Sequence, residues 1–368
     1  MNLLDVAVVG GGPAGLALAI EAARLGLSTA VLERRDWPVD KACGEGLMPA
    51  GLAALERLGV LPLLDRNDTA PFERIVWTQE NGRSLSAALP TPGGLGIRRT
   101  ELSRAMAAAA RQAGVNMHPH FAVKKHRVKS DHVVIAAEGA EIAARVVVAA
   151  DGLHSSFRHR MGVDRTEPGA RRHGLRQHAV VAPWDRAVEV HFARGVEAYV
   201  TPAGRQRVGV AFLWDAAMLP AEASFERLLA HFPALRHRLD GCAFDSKARG
   251  AGPLRRAAIR RSTDRVVLLG DAAGYVDAIT GEGLTLAFEG ASALAKVLPG
   301  ALLRGANAAS FDAYERQASA LFRPYARLAE LLLWTTRNPG LRRTLLDALS
   351  VVPPAFGVAL RAALPSTT

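Results

Sequence analysis

A glycine-rich turn near the start of the chain has the residue types that hold a nucleotide pyrophosphate. Gly10, Gly12 and Gly15 are spaced as Gly-x-Gly-x-x-Gly, and Glu33 follows Gly12 by 33 − 12 = 21 residues. In such a turn the first glycine permits the bend, the second lets the backbone approach the phosphates, and the third lets a helix pack closely on a strand. Because the start of that helix then faces the anion, the turn predicts a dinucleotide site.

Glu33 indicates which dinucleotide the turn would hold. Its carboxylate would accept hydrogen bonds from the hydroxyls of an adenosine ribose, and it would repel a 2′-phosphate at that position. The site therefore suits FAD or NAD rather than NADP. The residues of this region that we expect to contact the cofactor are Gly10, Gly12, Pro13, Ala14, Gly15, Glu33 and Arg34.

The segments around this turn have the patterns of buried strands joined by helices. Short apolar runs alternate with longer runs of helical spacing, and two of the apolar runs end in Asp151-Gly152 and Gly270-Asp271. Such an alternation is typical of a parallel sheet covered by helices. The predicted helices are residues 16–25, 100–114 and 282–298, and the predicted strands are residues 6–9, 29–33, 121–128, 133–137, 145–150 and 265–269.

Other segments predict a second sheet and a helical tail. Residues 72–89 have strand-like positions on both sides of the turn Asn81-Gly82, and residues 187–214 resemble three antiparallel strands with turns near Gly195 and Gly204. Residues 311–364 have helical spacing that is interrupted at 338–340 and at 353–354.

Two further motifs, together with the glycine turn, resemble those of one flavoprotein superfamily. Residues 147–158 are VVAADGLHSSFR, and residues 265–283 are RVVLLGDAAGYVDAITGEG. The three motifs occur in the order found in flavin monooxygenases of the para-hydroxybenzoate hydroxylase type and in the related geranylgeranyl reductases. The resemblance implies FAD bound without a covalent link, and NADPH or NADH as co-substrate.

The resemblance also implies roles for individual residues. Asp271 would bind a ribityl or ribose hydroxyl, and backbone N–H groups at Gly281 and Gly283 would face the pyrimidine edge of the flavin, where reduction places negative charge. Arg99, with Arg98 as the alternative, would approach the flavin. Asp151, Gly152 and Arg158 would shape the pyrophosphate region and take part in nicotinamide use, the alternative being a bare turn and a surface arginine. The residues implied by these motifs are Lys41, Cys43, Arg99, Asp151, Gly152, Arg158, Gly270, Asp271, Gly281 and Gly283.

The fold implied is α/β, with a Rossmann-like FAD-binding domain assembled from residues 1–69, 97–167 and 256–320. A substrate domain with an antiparallel sheet, residues 70–96 and 168–255, would be inserted into it and would roof the flavin. Residues 321–368 are expected to form C-terminal helices.

The expected reaction is an NAD(P)H- and O2-dependent hydroxylation or epoxidation of a hydrophobic aromatic, quinol or polyketide-type substrate in secondary metabolism. Two features resemble the reductase branch instead, namely Lys41-Ala42-Cys43-Gly44 and the YVTPAG of residues 199–204, although Thr201 stands where that branch favours an aromatic residue. Ala278 also replaces a proline typical of the hydroxylases. The alternatives are therefore reduction of isoprenoid or polyene double bonds, and a non-catalytic prenyl- or lipid-binding protein on the same fold. Halogenation ranks low, because the paired-tryptophan motif of flavin halogenases is missing.

The sequence DKACGEGLMP at residues 40–49 leaves two interpretations of Cys43. Lys41 could favour a thiolate beside the flavin, or the cysteine could simply be a small side chain in a loop that passes close to FAD. We favour packing, so no catalytic side chain is assigned and the chemistry is expected to be centred on the flavin.

Four aromatic residues are candidates to line the substrate pocket, although aromatic residues on a sheet are more often core: Trp77, Tyr199, Phe212 and Trp214. Apolar helices from residue 320 to 364 predict a large hydrophobic substrate, the alternative being that they complete the core.

Composition limits the partners. The net charge is +11, but the arginines are dispersed and aromatic residues make up only 6% of the chain, so nucleic acid is not expected as a partner. The charge could instead attract anionic cofactors or an anionic membrane surface. Two cysteines without zinc-ligand spacing predict a reducing compartment and no metal, and the absence of a leader pattern predicts a cytoplasmic chain that could associate with membranes. The oligomeric state is left open.

Overall fold

The computed structural model describes residues 3–165, 167, 171–220 and 222–351. The helices are α1 (Pro13–Arg24), α2 (Pro49–Arg57), α3 (Arg99–Gln112), α4 (Ser156–Arg160), α5 (Phe225–Leu229), α6 (Pro233–Arg238), α7 (Gly283–Leu303), α8 (Asp312–Arg337) and α9 (Pro339–Val351). The strands up to residue 149 are β1 (Leu4–Val9), β2 (Thr29–Leu32), β3 (Gly46–Leu47), β4 (Thr69–Phe72), β5 (Arg74–Thr78), β6 (Ser84–Ala88), β7 (Gly94–Ile97), β8 (Asn116–His118), β9 (Lys125–Val128), β10 (Val133–Ala137) and β11 (Ala140–Ala149). The later strands are β12 (Asp164–Arg165), β13 (Arg172–Ala179), β14 (Ala187–Ala193), β15 (Val196–Gly204), β16 (Arg207–Asp215), β17 (Arg249–Ala251), β18 (Arg256–Ala258), β19 (Ser262–Thr263), β20 (Val266–Leu268) and β21 (Gly274–Tyr275).

The first sheet carries the motif turns at the ends of parallel strands. Its strand order is β19-β20-β11-β1-β2-β8, and β20, β11, β1, β2 and β8 are parallel to one another. Strand β10 pairs antiparallel with the first half of β11, and β9 pairs antiparallel with β10. The central strands are apolar and buried because α1, α3 and α7 cover one face of this sheet. All three motif turns leave the carboxyl ends of β1, β11 and β20, so they meet at one edge of the sheet.

The second sheet differs in one respect from the expected antiparallel sheet. Its order is β17-β13-β16-β15-β14-β5-β6, and the pair β14–β5 is parallel. The antiparallel prediction is wrong for this pair, because the chain returns to the first sheet after β6 and re-enters the second sheet through β13, so that β14 runs in the same direction as β5. One face of this sheet, which we call the outer face, packs against α5 and α6, and the opposite, inner face turns toward the motif turns.

The C-terminal helices cover the edge between the two sheets. Helix α8 runs without a break across position 320, packs on α7, and buries Tyr325, Ala329 and Leu333 against Val276 and Ile279. The predicted break at residues 338–340 is confirmed, since α8 ends at Arg337 and α9 begins at Pro339. The expectations for residues 352–368 lie outside the described residues.

Two further elements bear on the expectations from sequence. Of the predicted strand 121–128 only β9 forms, because the N–H of Phe121 bonds to the carbonyl of Glu33 and so leaves the β9–β10 ladder. Within the described residues, α7 is the one helix that is long and apolar enough to cross a bilayer, but its buried side packs against α1 in the core beside the first sheet.

Candidate functional site

The glycine turn after β1 has the geometry that a pyrophosphate cradle requires. A Cβ atom built at Gly10, whose φ is +111°, would lie 2.3 Å from the carbonyl oxygen of Ala150, and one at Gly15 would lie 2.1 Å from the carbonyl oxygen of Gly10. These two positions therefore accept only glycine. A Cβ atom at Gly12 would find no atom nearer than Arg99 Nη2 at 4.0 Å, so open space lies above the backbone at this position.

The start of α1 faces this space without any neutralising side chain. Pro13 is the first helical residue, Gly12 is the N-cap, and neither a side-chain cap nor an acidic residue lies in the first turn. A helix N-terminus in this state presents unpaired N–H groups and partial positive charge to an anion. Ala14 lies against the third motif, since a Cβ atom at Gly270 would approach Ala14 Cβ to 2.8 Å.

Glu33 lies at the end of β2 beside the glycine turn. One carboxylate oxygen accepts a hydrogen bond from the N–H of Gly11 at 2.7 Å, and the other accepts one from the N–H of Arg35 at 3.2 Å. These bonds hold the carboxylate next to the turn while each oxygen keeps a free lone pair. The adjacent Arg34 is exposed, and its contact with a cofactor stays a prediction.

The structure separates the two arginines that the sequence left as alternatives. Arg99 is buried with its guanidinium close to Gly12; the Nε atoms of Arg98 and Arg99 both lack a hydrogen-bond partner among the described residues, so it is position that separates the two. Arg98 instead turns toward Asp245, with Nη1 3.3 Å from a carboxylate oxygen. Arg99 is therefore the arginine of the cleft.

Charged groups from distant segments converge on the same cleft. Desolvation and the nearby Arg99 lower the pKa of Lys41, which also interacts with the carboxylates of Asp271 and Glu33. Asp271 is open to the cleft, and its carboxylate interacts there with Lys41 and Arg99. A Cβ atom at Gly152 would lie 3.3 Å from Lys41 Nζ, which places the second motif here as well. The cleft therefore combines two cations, Lys41 and Arg99, and two carboxylates, Asp271 and Glu33, with the glycine cradle, a set that fits an anionic cofactor bearing hydroxyl groups.

Arg158 and Asp151 make buried hydrogen bonds that hold the second and third motifs together beside the cleft. Arg158 is only 3% exposed, so the alternative of a surface arginine is wrong. It donates to the carbonyl oxygens of Ala272 at 3.1 Å and Leu153 at 3.0 Å, and it pairs with Asp164, so it ties the second motif to the third. Asp151 Oδ2 accepts hydrogen bonds from the start of α4, whereas its Oδ1 is buried without a partner among the described residues. That free acceptor, like Arg99 Nε, is a position where a bound group would complete the hydrogen bonding.

The start of α7 contains an unusual carboxyl group between Gly281, whose φ is +72°, and Gly283. Glu282 is buried, and neither of its oxygens makes a hydrogen bond of good geometry with a described residue, although the hydroxyl of Thr285 lies near enough to offset part of the desolvation. Desolvation raises the pKa of Glu282 to about 7. Asp271 also lines a cavity between α7 and α8, together with Gly283, Tyr314 and Tyr325.

Residues 40–46 form a loop that the second sheet holds against the cleft. Desolvation raises the pKa of the Cys43 thiol, so this cysteine is protonated at neutral pH and the thiolate interpretation has no support. Glu45, with φ of +62°, accepts a hydrogen bond from the N–H of Arg99 at 2.8 Å and lies 2.6 Å from His178 Nε2. Arg176 donates to Asp40 at 2.6 Å and to the carbonyl oxygen of Lys41 at 2.9 Å.

Sequence reasoning missed this network and a second one beside it. Arg172 pairs with Glu197 at 2.7 Å and with Asp277 at 3.2 Å, joining β13 and β15 to the segment that follows β21. The signal was available in β13, where the polar residues Arg172, Arg176 and His178 fall on one face of the strand at even spacing. The missed residues are Glu45, Arg172, Arg176, His178, Glu197 and Asp277.

The four aromatic candidates for the pocket are divided between the two faces of the second sheet. Tyr199 lies on the inner face, where its hydroxyl donates to the carbonyl oxygen of Ile279 at 3.4 Å. Trp77 shares that face but packs edge-on against Phe192. Phe212 and Trp214 lie on the outer face and are fully packed against α5 and α6, so the prediction that they line a pocket is wrong. The reason is the period of two along β15 and β16, which places residues 196, 198, 210, 212 and 214 together on the outer face.

Comparisons with known proteins agree with this geometry. The family model described as "FAD binding domain" matches residues 3–328. A menaquinone reductase of Mycolicibacterium smegmatis is 29% identical over 314 residues, which are 77% of this chain and 74% of that protein. Digeranylgeranylglycerophospholipid reductase 1 of Methanopyrus kandleri is 28% identical over 350 residues, covering 89% of this chain and 90% of its own length.

A hydroxylase and a solved structure complete the comparison. The 3-(3-hydroxy-phenyl)propionate/3-hydroxycinnamic acid hydroxylase of M. smegmatis is 29% identical over 171 residues, only 44% of this chain and 30% of that protein. The crystal structure of a flavoprotein/dehydrogenase from Cytophaga hutchinsonii superposes with a TM-score of 0.79 at 18% identity, covering 93% of this chain and 87% of that one. The superposition supports the α/β fold, with its parallel and antiparallel sheets.

Proposed function

The chain belongs to the family defined by this FAD-binding domain, and on that premise we propose that it is an NAD(P)H- and O2-dependent monooxygenase acting on a large hydrophobic substrate. The observation that carries the FAD-dependent part is the cleft around Gly12. Open space above a glycine backbone, the uncapped start of α1 and the unpaired Arg99 Nε meet there, and together they fit a pyrophosphate.

Different parts of the chain would bind different groups of FAD. The glycine turn and the start of α1 would bind the pyrophosphate, Glu33 would bind the adenosine ribose, and Asp271 would bind a hydroxyl of the ribityl chain. Bound FAD would supply the redox chemistry. Overall, NAD(P)H, a proton, O2 and a C–H bond of the substrate would become NAD(P)+, water and a C–OH bond, so one oxygen atom enters the product and the other leaves in water.

The protein would contribute positioning and exclusion of water rather than a nucleophile. Cys43 is protonated, and burial also raises the pKa of Tyr199, so neither is an anion at neutral pH. The inner face of the second sheet and the buried face of α8 close over residues 276–279 with apolar side chains and with the buried charges of Arg172, Glu197 and Asp277. A water-poor roof protects reactive oxygen chemistry from hydrolysis, and its apolar part suits a hydrophobic substrate.

The proposal of a large substrate rests on α8, but much of its apolar face is already occupied. Tyr325, Ala329 and Leu333 pack against the roof residues and complete the core there. Activity with alkylated or polycyclic phenols and quinols in preference to short charged benzoates would support the proposal. The opposite preference would contradict it.

Reduction of isoprenoid or polyene double bonds is the second candidate. Two reductases match along 74% and 90% of their own lengths, whereas the hydroxylase matches along 30%. A non-catalytic prenyl- or lipid-binding protein would not need the glycine cradle. Purified protein without flavin absorption would support that alternative.

One experiment separates the two reactions. The purified holoenzyme is incubated with NADPH or NADH and a panel of hydrophobic quinols, phenols and polyprenyl compounds, under ¹⁸O2 and under nitrogen. The proposal predicts O2 consumption and a product that carries one ¹⁸O atom. Turnover under nitrogen that gives a product with two additional hydrogen atoms would reject monooxygenation and establish the reductase.

A further inference from the structure

The exposed side of the C-terminal helices carries a concentration of large apolar residues. The described residues include twelve exposed large hydrophobic side chains, and four of them lie within residues 331–345. These four, which we call the α8–α9 patch, are between 41% and 56% exposed: Leu331, Trp334, Leu341 and Leu345. The other eight are scattered from residue 3 to residue 303, so the exposed apolar side chains are concentrated along the chain at the end of α8 and the start of α9.

Helical spacing aligns the patch with a row of arginines. Arg323, Arg327, Leu331 and Trp334 follow one another at intervals of four, four and three residues, so they lie along one side of α8. Arg323 and Arg327 are exposed and form no ion pair with any described residue. Glu330, the acidic residue in this part of α8, is already paired with Arg255 at 2.8 Å. The exposed side of α8 is therefore apolar toward its C-terminal end and cationic before it.

We propose that the α8–α9 patch docks onto an anionic lipid bilayer. Tryptophan and leucine side chains would enter the headgroup region, and the two unpaired arginines would bind lipid phosphates. The net charge of +11 adds a general attraction to such a surface. The opposite side of α8 packs on residues 276–279 beside the flavin cleft, so docking there would bring the site close to lipid-dissolved molecules.

Two other occupants of the patch are outcomes of the test below. A second copy of the chain would bury the apolar side chains of the patch, but it would not require Arg323 and Arg327 to meet an anion. The chain continues for seventeen residues after α9, from residue 352 to residue 368, and this segment could cover the patch itself, but it would leave the two arginines without an acidic partner, since it contains none.

The test is sedimentation of the full-length holoenzyme with vesicles. Vesicles of phosphatidylcholine alone are compared with vesicles of phosphatidylcholine mixed with phosphatidylglycerol. We expect co-sedimentation with the mixed vesicles, and we expect it to weaken as salt is added. Because binding is measured without turnover, its failure would not affect the proposed reaction, and failure of the reaction would not affect it.

Variants identify the surface. Leu331→Ser with Trp334→Ser should lower vesicle partitioning by tenfold or more, and Arg323→Gln with Arg327→Gln by roughly fivefold for each arginine. The matched control is Leu303→Ser, which removes a leucine that is 87% exposed at the end of α7, outside the patch. Flavin content and melting temperature verify that each variant is folded.

Three results would overturn the proposal. The first is full-length protein that does not sediment with the mixed vesicles. If a chain that ends at residue 351 does sediment with them while the full-length protein does not, residues 352–368 would be the occupant of the α8–α9 patch. The second is equal binding by the patch variants and the parent. The third is a dimer that dissociates in Trp334→Ser and does not bind lipid.

Discussion

Replacing Gly12 by valine is expected to abolish FAD binding and to leave the fold intact. A Cβ atom at this position has Arg99 Nη2, at 4.0 Å, as its nearest neighbour, so the loss would come from the space that the pyrophosphate needs. Flavin content after purification and the melting curve of the FAD-free protein measure the two effects separately. Gly340→Ala, also in open space, is the control and should retain FAD. Stoichiometric flavin in the valine variant would show that the cofactor lies elsewhere.

Cys43→Ser is expected to keep bound FAD, because the protonated thiol acts as a small packed side chain. Lys41→Ala should weaken FAD binding, since it removes a cation that interacts with Asp271 and Glu33 in the cleft. Because desolvation raises the pKa of Cys43, alkylation by iodoacetamide should accelerate only at a pH above that of an unperturbed thiol. A variant that holds full FAD but forms no product would make Cys43 catalytic. It would also favour the reductase candidate.

Glu282→Gln is expected to stabilise the FAD-free protein at alkaline pH and to have little effect in acid. The folded-state pKa is raised from 4.5 to about 7, so the folded chain retains the proton after the unfolded chain has released it. Stability therefore falls as the pH rises from about 4.5 to 7, and the charged carboxylate carries the whole penalty above that range, at most about 3 kcal/mol. Urea denaturation at both ends of this range measures the effect, with the exposed Glu222→Gln as control. An equal difference between variant and parent at both pH values would contradict the prediction.

At the scale of the elements, β13 joins the two halves of the molecule through buried charges. Arg172→Met would leave Glu197 and Asp277 close together without their cation, and burial already raises the pKa of Glu197 despite Arg172. We expect a loss of about 3–5 kcal/mol in the free energy of unfolding. Adding Glu197→Gln to the Arg172→Met variant should restore part of the lost free energy of unfolding. The control is Arg186→Met, which breaks an exposed pair with Glu73 and should cost less than about 1 kcal/mol. Similar losses in both methionine variants would contradict the role assigned to Arg172.

At the scale of the whole molecule, FAD is expected to act as a link between separate segments. The cleft draws on residues 10–15, 41, 99, 151–152 and 270–283, which the chain brings together from five places. Removing FAD should lower the melting temperature, and adding it back at about a hundred times its Kd should restore about 2.7 kcal/mol of stability. Differential scanning fluorimetry over an FAD series measures the shift, and Gly12→Val should show none. A melting temperature that does not depend on FAD would argue against the assembled cleft.

The amino-acid sequence alone determined the features that depend on neighbouring residues. Gly10, Gly12, Gly15 and Glu33 belong to one strand-helix-strand unit, and the spacing of residues within such a unit fixes where they lie relative to one another. The same holds for the break before Pro339 and for the turns that end β11 and β20. These features were enough to predict the α/β fold, which the structure bears out, and the motif family that the comparisons support.

Only the tertiary structure decided the contacts between segments far apart in the chain. His178 meets Glu45 across 133 residues, Arg99 rather than Arg98 turns into the cleft, and β14 lies parallel to β5. Local spacing cannot encode such pairings, because they depend on the path by which the chain returns to each sheet. The same reason explains Phe212 and Trp214, since alternation along a strand shows that two residues share a face but not which face turns toward the cleft.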